Sequence, residues 1–254
     1  MDLDMVRFID FHTHLHLYSE IDEVLKSIKK NKILMVANSN DLDSYYDTCE
    51  IAQKNPLIIP TFGVHPQSAS KYAGRTGVLK LALQKTPIIG EIGLDYYWVK
   101  DVAKEAQKEV FEYIIREAVE QGKYCIIHTK GAEKEVYKIL KEYGANKVII
   151  HWYSGPLDIY KKMIAEGYYF TFGCEVKYSK KIQELLNLIP TTQLLTETDN
   201  PVGEEWLGGN THEPDLIIRV MQDISDALNK ELEEVEKMIF NNSRKILQKA
   251  GVLD

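Results

Sequence analysis

The sequence predicts an α/β protein, a (β/α)8 TIM barrel, on three observations. Eight short, apolar, β-branched runs alternate with amphipathic helical stretches along the whole chain, and parallel neighbours need such crossover connections. The runs are apolar on both faces, as strands covered by helices require. Eight units in 254 residues match the usual size of this barrel. An open, doubly wound sheet is the rival architecture.

The elements follow in order. Arg7–Phe11 reads as the first strand, and Ile21–Asn31 as a helix with apolar residues at helical spacing. Ile33–Ala37 ("ILMVA") is a strand before the helix Asp43–Lys54. Ile58–Gly63 precedes Gly77–Lys85, and Ile88–Gly93 precedes the long amphipathic stretch Ala103–Gln121. Two strands of the same form, Cys125–His128 ("CIIH") and Val148–His151 ("VIIH"), are followed by helices at Glu133–Tyr143 and Leu157–Glu166. Tyr168–Phe172 pairs with the helix Lys180–Leu188. Leu194–Glu197 is the last strand, and Asp215–Asn229 and Leu232–Lys249 are two closing helices. No linker, repeat or low-complexity stretch divides the chain, so residues 1–254 are expected to form a single domain.

The formal charge of -7, from 31 basic and 38 acidic residues, argues against a broad nucleic-acid face or an anionic membrane partner. Only five of the basic residues are Arg, which leaves few planar forks for gripping phosphate. Cys49, Cys125 and Cys174 are widely spaced and odd in number, reading as reduced thiols rather than a disulfide framework. The start "MDLDMVRF" lacks the basic and apolar segments of a signal peptide, and no apolar run is long enough to cross a bilayer. The expectation is a cytoplasmic protein without a membrane partner, for which a monomer suffices.

The residues able to do chemistry fall at strand ends. "IDFHTHLHL" carries His12, His14 and His16 at alternate positions, and a strand would aim all three imidazoles to one face. "GVHP" places His65 after the third strand. "GEIGLD" closes the fourth with Glu91 and Asp95, the fifth and sixth end on His128 and His151, and "TETD" ends the eighth with Glu197 and Asp199. Six of the seven histidines therefore gather at the C-terminal mouth of a barrel, where such enzymes place their active sites. Each has a bland reading alone, as a hydrogen-bonded core histidine or a turn acid. Jointly, on five strand ends, they point to a metal site. Imidazole with carboxylate suits divalent Zn, Mn, Mg, Fe or Co, and a bridging carboxylate suits two cations about 3.5–4 Å apart that activate a water. A neighbouring carboxylate then takes the water's proton.

"DFHTHL", "GVHP", "IGEIGLDYY", "IIHWYSG" and "LLTETDNP", in that order from Asp10 to about Asn242, resemble the TatD-related metal-dependent hydrolases. The resemblance implies a barrel of the amidohydrolase superfamily, whose best-studied members in this branch are deoxyribonucleases. It implies that His12 and His14 hold one metal, that Glu91 bridges two, and that His128 and His151 hold the second. Asp199 would ligate the first metal and accept the proton of the nucleophilic water. His65 matches a position near the substrate phosphate, and His16 falls beyond the motif.

Two departures stand out. Lys130, in "TKGAEK", occupies a place where arginine is common. The loop "NPVGEEWLGGNTHEPDL" holds Asn210, Glu213 and Pro214 as remnants of a family run, with Glu204, Glu205 and Trp206 in addition. The expected substrate contacts are His65, Lys130, Trp206 and Asn210, with Trp206 either stacking on a terminal base or packing its loop onto the barrel. The reaction expected is hydrolysis of a small phosphodiester or the end of a single-stranded nucleic acid. The alternative is hydrolysis of a small amide, ester or lactone at the same centre. A metal-binding protein without catalysis fits least, since Asp199 beside the metals has no purpose in a closed structural site.

Overall fold

The computed structural model describes residues 6–203, 207–208 and 215–253. The elements run β1 (Phe8–Thr13), α1 (Ile21–Asn31), β2 (Ile33–Asn38), α2 (Leu42–Ala52), β3 (Ile58–Thr61), α3 (Lys80–Lys85), β4 (Ile89–Asp95) and α4 (Lys104–Gln121). They continue with β5 (Cys125–Lys130), α5 (Glu133–Glu142), β6 (Val148–Ile150), α6 (Leu157–Ala165), β7 (Tyr169–Phe172), α7 (Lys180–Leu188), β8 (Leu194–Thr196), α8 (Leu216–Leu228) and α9 (Leu232–Lys249). Every strand and helix expected from the periodicity is present. β1, β2 and β4 are buried along their whole length, which is why they read as continuous apolar runs.

The boundaries differ where local signals compete with pairing. β4 continues to Asp95 and β5 to Lys130 because their parallel register holds to the Asp95–Lys130 pair. Residues 77–79, expected to open α3, wind instead within a tighter 3-10 turn, Thr76–Leu79, that includes Gly77, a poor helix former. A 3-10 turn also takes Leu15–Leu17.

The chain divides into two compact units. One comprises residues 1–37, 48–59 and 170–254. In it β1 pairs in parallel with β2 (Phe8 with Ile33, Asp10 with Met35), and β7 with β8 (Phe170 with Leu194, Phe172 with Thr196). A parallel bridge between Thr13 and Asn200 joins the end of β1 to the segment after β8. Helix α9 packs against β8 and β1 through a buried stripe of Val235, Ile239, Ile246 and Leu247, at successive spacings of four, seven and one. The Asn242 side chain, on that stripe, donates to the carbonyls of Thr191 and Leu194 at 2.7 and 2.9 Å.

The other unit comprises residues 38–47 and 60–169. Here β4, β5 and β6 lie side by side in parallel. Helix α4 packs on β4 through Val110, Phe111, Ile114, Ile115 and Ala118. It stops at Gly122, whose left-handed backbone (φ 62°) lets its N–H reach back to the last turn. No described helix is long and apolar enough to cross a membrane.

Candidate metal centre

In the first unit the backbone itself assembles a cluster. Asp199 N–H donates to the carbonyl of His12 (2.8 Å), and His14 N–H to that of Asn200 (2.7 Å). Those two bonds set the residues after β8 against the end of β1. The His12 and His14 Nε2 atoms stand 3.2 Å apart. Asp199 Oδ1 lies 3.5 Å from the first and 3.2 Å from the second. Asp199 has a left-handed backbone (φ 53°), which costs a side-chain-bearing residue energy and persists only where its surroundings impose it. Here three backbone bonds impose it, since its carbonyl also accepts from Val202 and Gly203 at 3.1 and 2.6 Å.

A buried acid that the motifs left without a role organises this cluster. Asp10, two residues before His12, accepts from the backbone N–H groups of His12 (3.1 Å) and Thr198 (3.0 Å) and from the Thr198 hydroxyl (2.6 Å). It thereby binds β1 to the "TETD" segment. Burial pushes its carboxyl up to about 7 against those three hydrogen bonds. Its parity with His12 and His14 was the signal available in the sequence.

The second unit holds a matching cluster. Glu91 Oε1 lies 2.9 Å from His128 Nδ1 and 2.9 Å from His151 Nε2, and the two ring nitrogens are 3.2 Å apart. Gly93 makes the approach of β4 to β5 feasible. A Cβ there would fall 1.9 Å from the His128 carbonyl oxygen, and its φ of 157° suits glycine. On the far side of the ring, His128 Nε2 meets Asp95 Oδ2 at 2.9 Å. A carboxylate only accepts, so Asp95 takes the Nε2 proton, the tautomer that would offer the Nδ1 lone pair to a cation. Burial alone raises the Asp95 carboxyl, but the His128 hydrogen bond and charge and the Tyr97 and Trp98 N–H groups hold it down at about 2. Burial lowers His128, and the hydrogen bonds that its ring donates to the Asp95 and Glu91 carboxylates outweigh it, so its pKa is raised.

His65 joins this group differently. Its Nδ1 accepts the Gln67 N–H at 3.2 Å, which places its proton on Nε2, 3.9 Å from Glu91 Oε1. It is a hydrogen-bond donor in that form, not a ligand. Lys130, at the end of β5, donates to Ser154 Oγ at 2.9 Å. His16 does not continue the alternation of its neighbours. The chain leaves extended geometry at His14, and the His16 ring, carried on the 3-10 turn, meets His14 edge-on at 5.6 Å. Trp206 and Asn210 lie outside the described residues.

Both clusters fit a divalent cation. Ligand atoms about 2.1 Å from a tetrahedral ion stand about 3.4 Å apart, and each cluster presents two imidazole nitrogens and a carboxylate oxygen at 2.9–3.5 Å from one another.

The model of the TatD-related DNase family matches residues 9–248. The chain belongs to that family. Among its TatD relatives is the uncharacterized metal-dependent hydrolase YabD of Bacillus subtilis, 31% identical, with 94% of this chain and 98% of that protein aligned. Human deoxyribonuclease TATDN3 is 27% identical, with 96% of each chain aligned. The crystal structure of YJJV, a TatD homolog from Escherichia coli, superposes with a TM-score of 0.85 at 20% identity, covering 95% of this chain and 98% of that one. That likeness shows the fold, and the chain is a (β/α)8 barrel of the TatD type. It is thus a metal-dependent hydrolase of the TatD family.

Proposed function

We propose that this TatD-family hydrolase is a two-metal phosphodiesterase acting on small phosphodiesters and nucleic-acid ends in the cytoplasm. The observation that carries the reading is the pair of clusters, each with two imidazoles and a carboxylate at ligand spacing. The likeness to a human relative named a deoxyribonuclease supports the substrate class. His12, His14 and Asp199 would hold one ion, and His128 and His151 would hold the other with Glu91. The family resemblance would also make Glu91 a ligand shared by two ions. Bound divalent cations supply Lewis acidity toward a phosphoryl oxygen and lower the pKa of water.

The chain's own groups do the rest. Asp199 accepts the proton of the attacking water as the new P–O bond forms and the ester P–O bond breaks, and the leaving oxygen takes a proton from solvent. His65 donates its Nε2 proton in a hydrogen bond to a non-bridging oxygen. Lys130, held by Ser154, sits as a point charge beside the phosphate. Asp95 and Asp10 keep His128 and His12 in position. Trp206 and Asn210 complete the substrate contacts.

The test is metal analysis of the purified chain, followed by turnover of a phosphodiester, phosphomonoester, amide and lactone panel with metal restored. Two ions per chain and a preference for phosphodiesters are expected. Glu91→Gln is expected to lower occupancy at both sites. Saturation at one ion refutes the two-metal reading, and turnover confined to lactones or amides refutes the phosphodiesterase reading.

A further inference from the structure

The loop after β4 exposes two aromatic side chains in succession, Tyr97 (54%) and Trp98 (52%). Their rings meet edge-on, with centroids 4.5 Å apart and planes at 88°. Scattered surface aromatics are ordinary, but these are anchored to the metal cluster. Asp95 Oδ1 accepts the backbone N–H of Tyr97 (2.9 Å) and of Trp98 (2.7 Å), while its Oδ2 takes the His128 proton. One carboxylate therefore sets both the ligand ring and the aromatic pair. Gly131, in a left-handed turn (φ 69°), brings the loop after β5 against them. A Cβ there would stand 3.4 Å from the Tyr97 Cβ.

Positive charge flanks the pair. The Lys100 and Lys130 ammonium groups each lie 5.9 Å from the centre of the Tyr97 ring. Two acids of the neighbouring loop and helix already have partners. Glu133 accepts from Gly131 N–H at 3.1 Å, and Glu135 from the Tyr96 hydroxyl at 3.1 Å, with Lys108 at 3.4 Å. Exposed aromatic rings with ammonium groups beside them match a nucleotide, whose base stacks while its phosphate meets the cations.

We propose that Trp98, backed edge-on by Tyr97, is a stacking platform for an unpaired base next to the phosphodiester that is cleaved. Lys100 and Lys130 hold the adjoining phosphate. This names the substrate as a single strand or frayed end, because a base stacked within a closed duplex offers no face. The proposal rests on the phosphodiesterase reading above.

The experiment uses the metal-loaded chain and single-stranded tetranucleotides, intact or with an abasic position walked along the strand. The wild-type KM is expected to rise roughly 5- to 150-fold at one abasic position, the cost of a lost stack, with kcat moving less. Trp98→Ala is expected to erase that discrimination, and Trp98→Phe to keep most of it. A tetranucleotide carrying 2-aminopurine at the sensitive position supplies a readout independent of turnover. Its fluorescence is expected to be quenched by the wild type and by Trp98→Phe, not by Trp98→Ala. Equal tolerance of abasic residues everywhere, or equal weakening of intact and abasic substrates by Trp98→Ala, overturns the platform. Quenching that depends on Trp98 without phosphodiester turnover upholds the platform and refutes the phosphodiesterase reading. Turnover with neither readout dependent on Trp98 does the reverse.

Discussion

His128 stands between two carboxylates with opposite tasks, Glu91 on Nδ1 and Asp95 on Nε2. Replacing Asp95 with Asn puts a neutral amide where the ring's proton acceptor was and loosens the tautomer that frees Nδ1. Asp95→Asn is expected to weaken the ion of that cluster roughly 10- to 100-fold, as losses of such outer partners typically do. Chelator competition measures this, and unchanged affinity would remove Asp95 from the site. Asp199 has a different role, both as ligand and as proton acceptor. Asp199→Asn is expected to lower kcat by about 10²–10⁴ with a smaller change in KM, and steady-state kinetics at saturating metal separate the two. Retention of most of the turnover would exclude it as the base.

At the scale of elements, the paired strands and their caps decide whether those residues meet. The Gly93 position admits no side chain, because a Cβ would overlap the His128 carbonyl at 1.9 Å. Gly93→Ala is expected to separate β4 from β5 at His128, costing about 1–3 kcal/mol or more and depressing metal affinity together with thermal stability. A stable Gly93→Ala protein with full metal content would contradict this. Helix α2 depends on Asp41, whose Oδ1 accepts the Ser44 N–H at 3.0 Å while Oδ2 meets Lys71 Nζ at 2.6 Å. Burial raises the Asp41 carboxyl, but the bonds from Lys71 and Ser44 outweigh it and hold its pKa below the ordinary 3.8. A depressed acid stabilises the fold above its unfolded-state value, and the contribution is lost as pH falls through the lower folded value. Asp41→Ala is therefore expected to cost about 0.5–2 kcal/mol at neutral pH, with the gap to wild type closing below about pH 4. Denaturant titrations at both pH values check it.

For the whole molecule, charge sets how a polyanion is met. With a formal charge of -7 and five arginines, the chain has little basic surface to track a duplex. Contact with about one to three phosphates, near His65, Lys100, Lys130 and the ions, implies a loss of only about 3- to 20-fold in affinity between roughly 50 and 200 mM salt. The salt dependence of KM for a tetranucleotide against a long oligonucleotide measures this. A steep slope for the long substrate would reveal an extended track and refute the local grip.

Among the described residues, the eight strands and nine α-helices were legible in the sequence because burial periodicity is local. A strand covered on both faces must be apolar in every position, as "ILMVA" and "VIIH" are, and a helix on its surface must carry a stripe, as α9 does. The two histidine–carboxylate clusters were legible for a related reason, since within each unit parallel strands bring their C-terminal ends to one side and these residues stand there. Tertiary structure alone decided the partners that hold those ligands. Asp10 meets Thr198 across 188 positions, Asp95 meets His128 across 33, and Lys130 meets Ser154 across 24. Each pairing depends on which strands are neighbours and in what register, a relation that no run of residues carries within itself. His16 is the converse case. Its spacing continued that of His12 and His14, but a period has meaning only while the chain stays extended, and here the strand ends at Thr13.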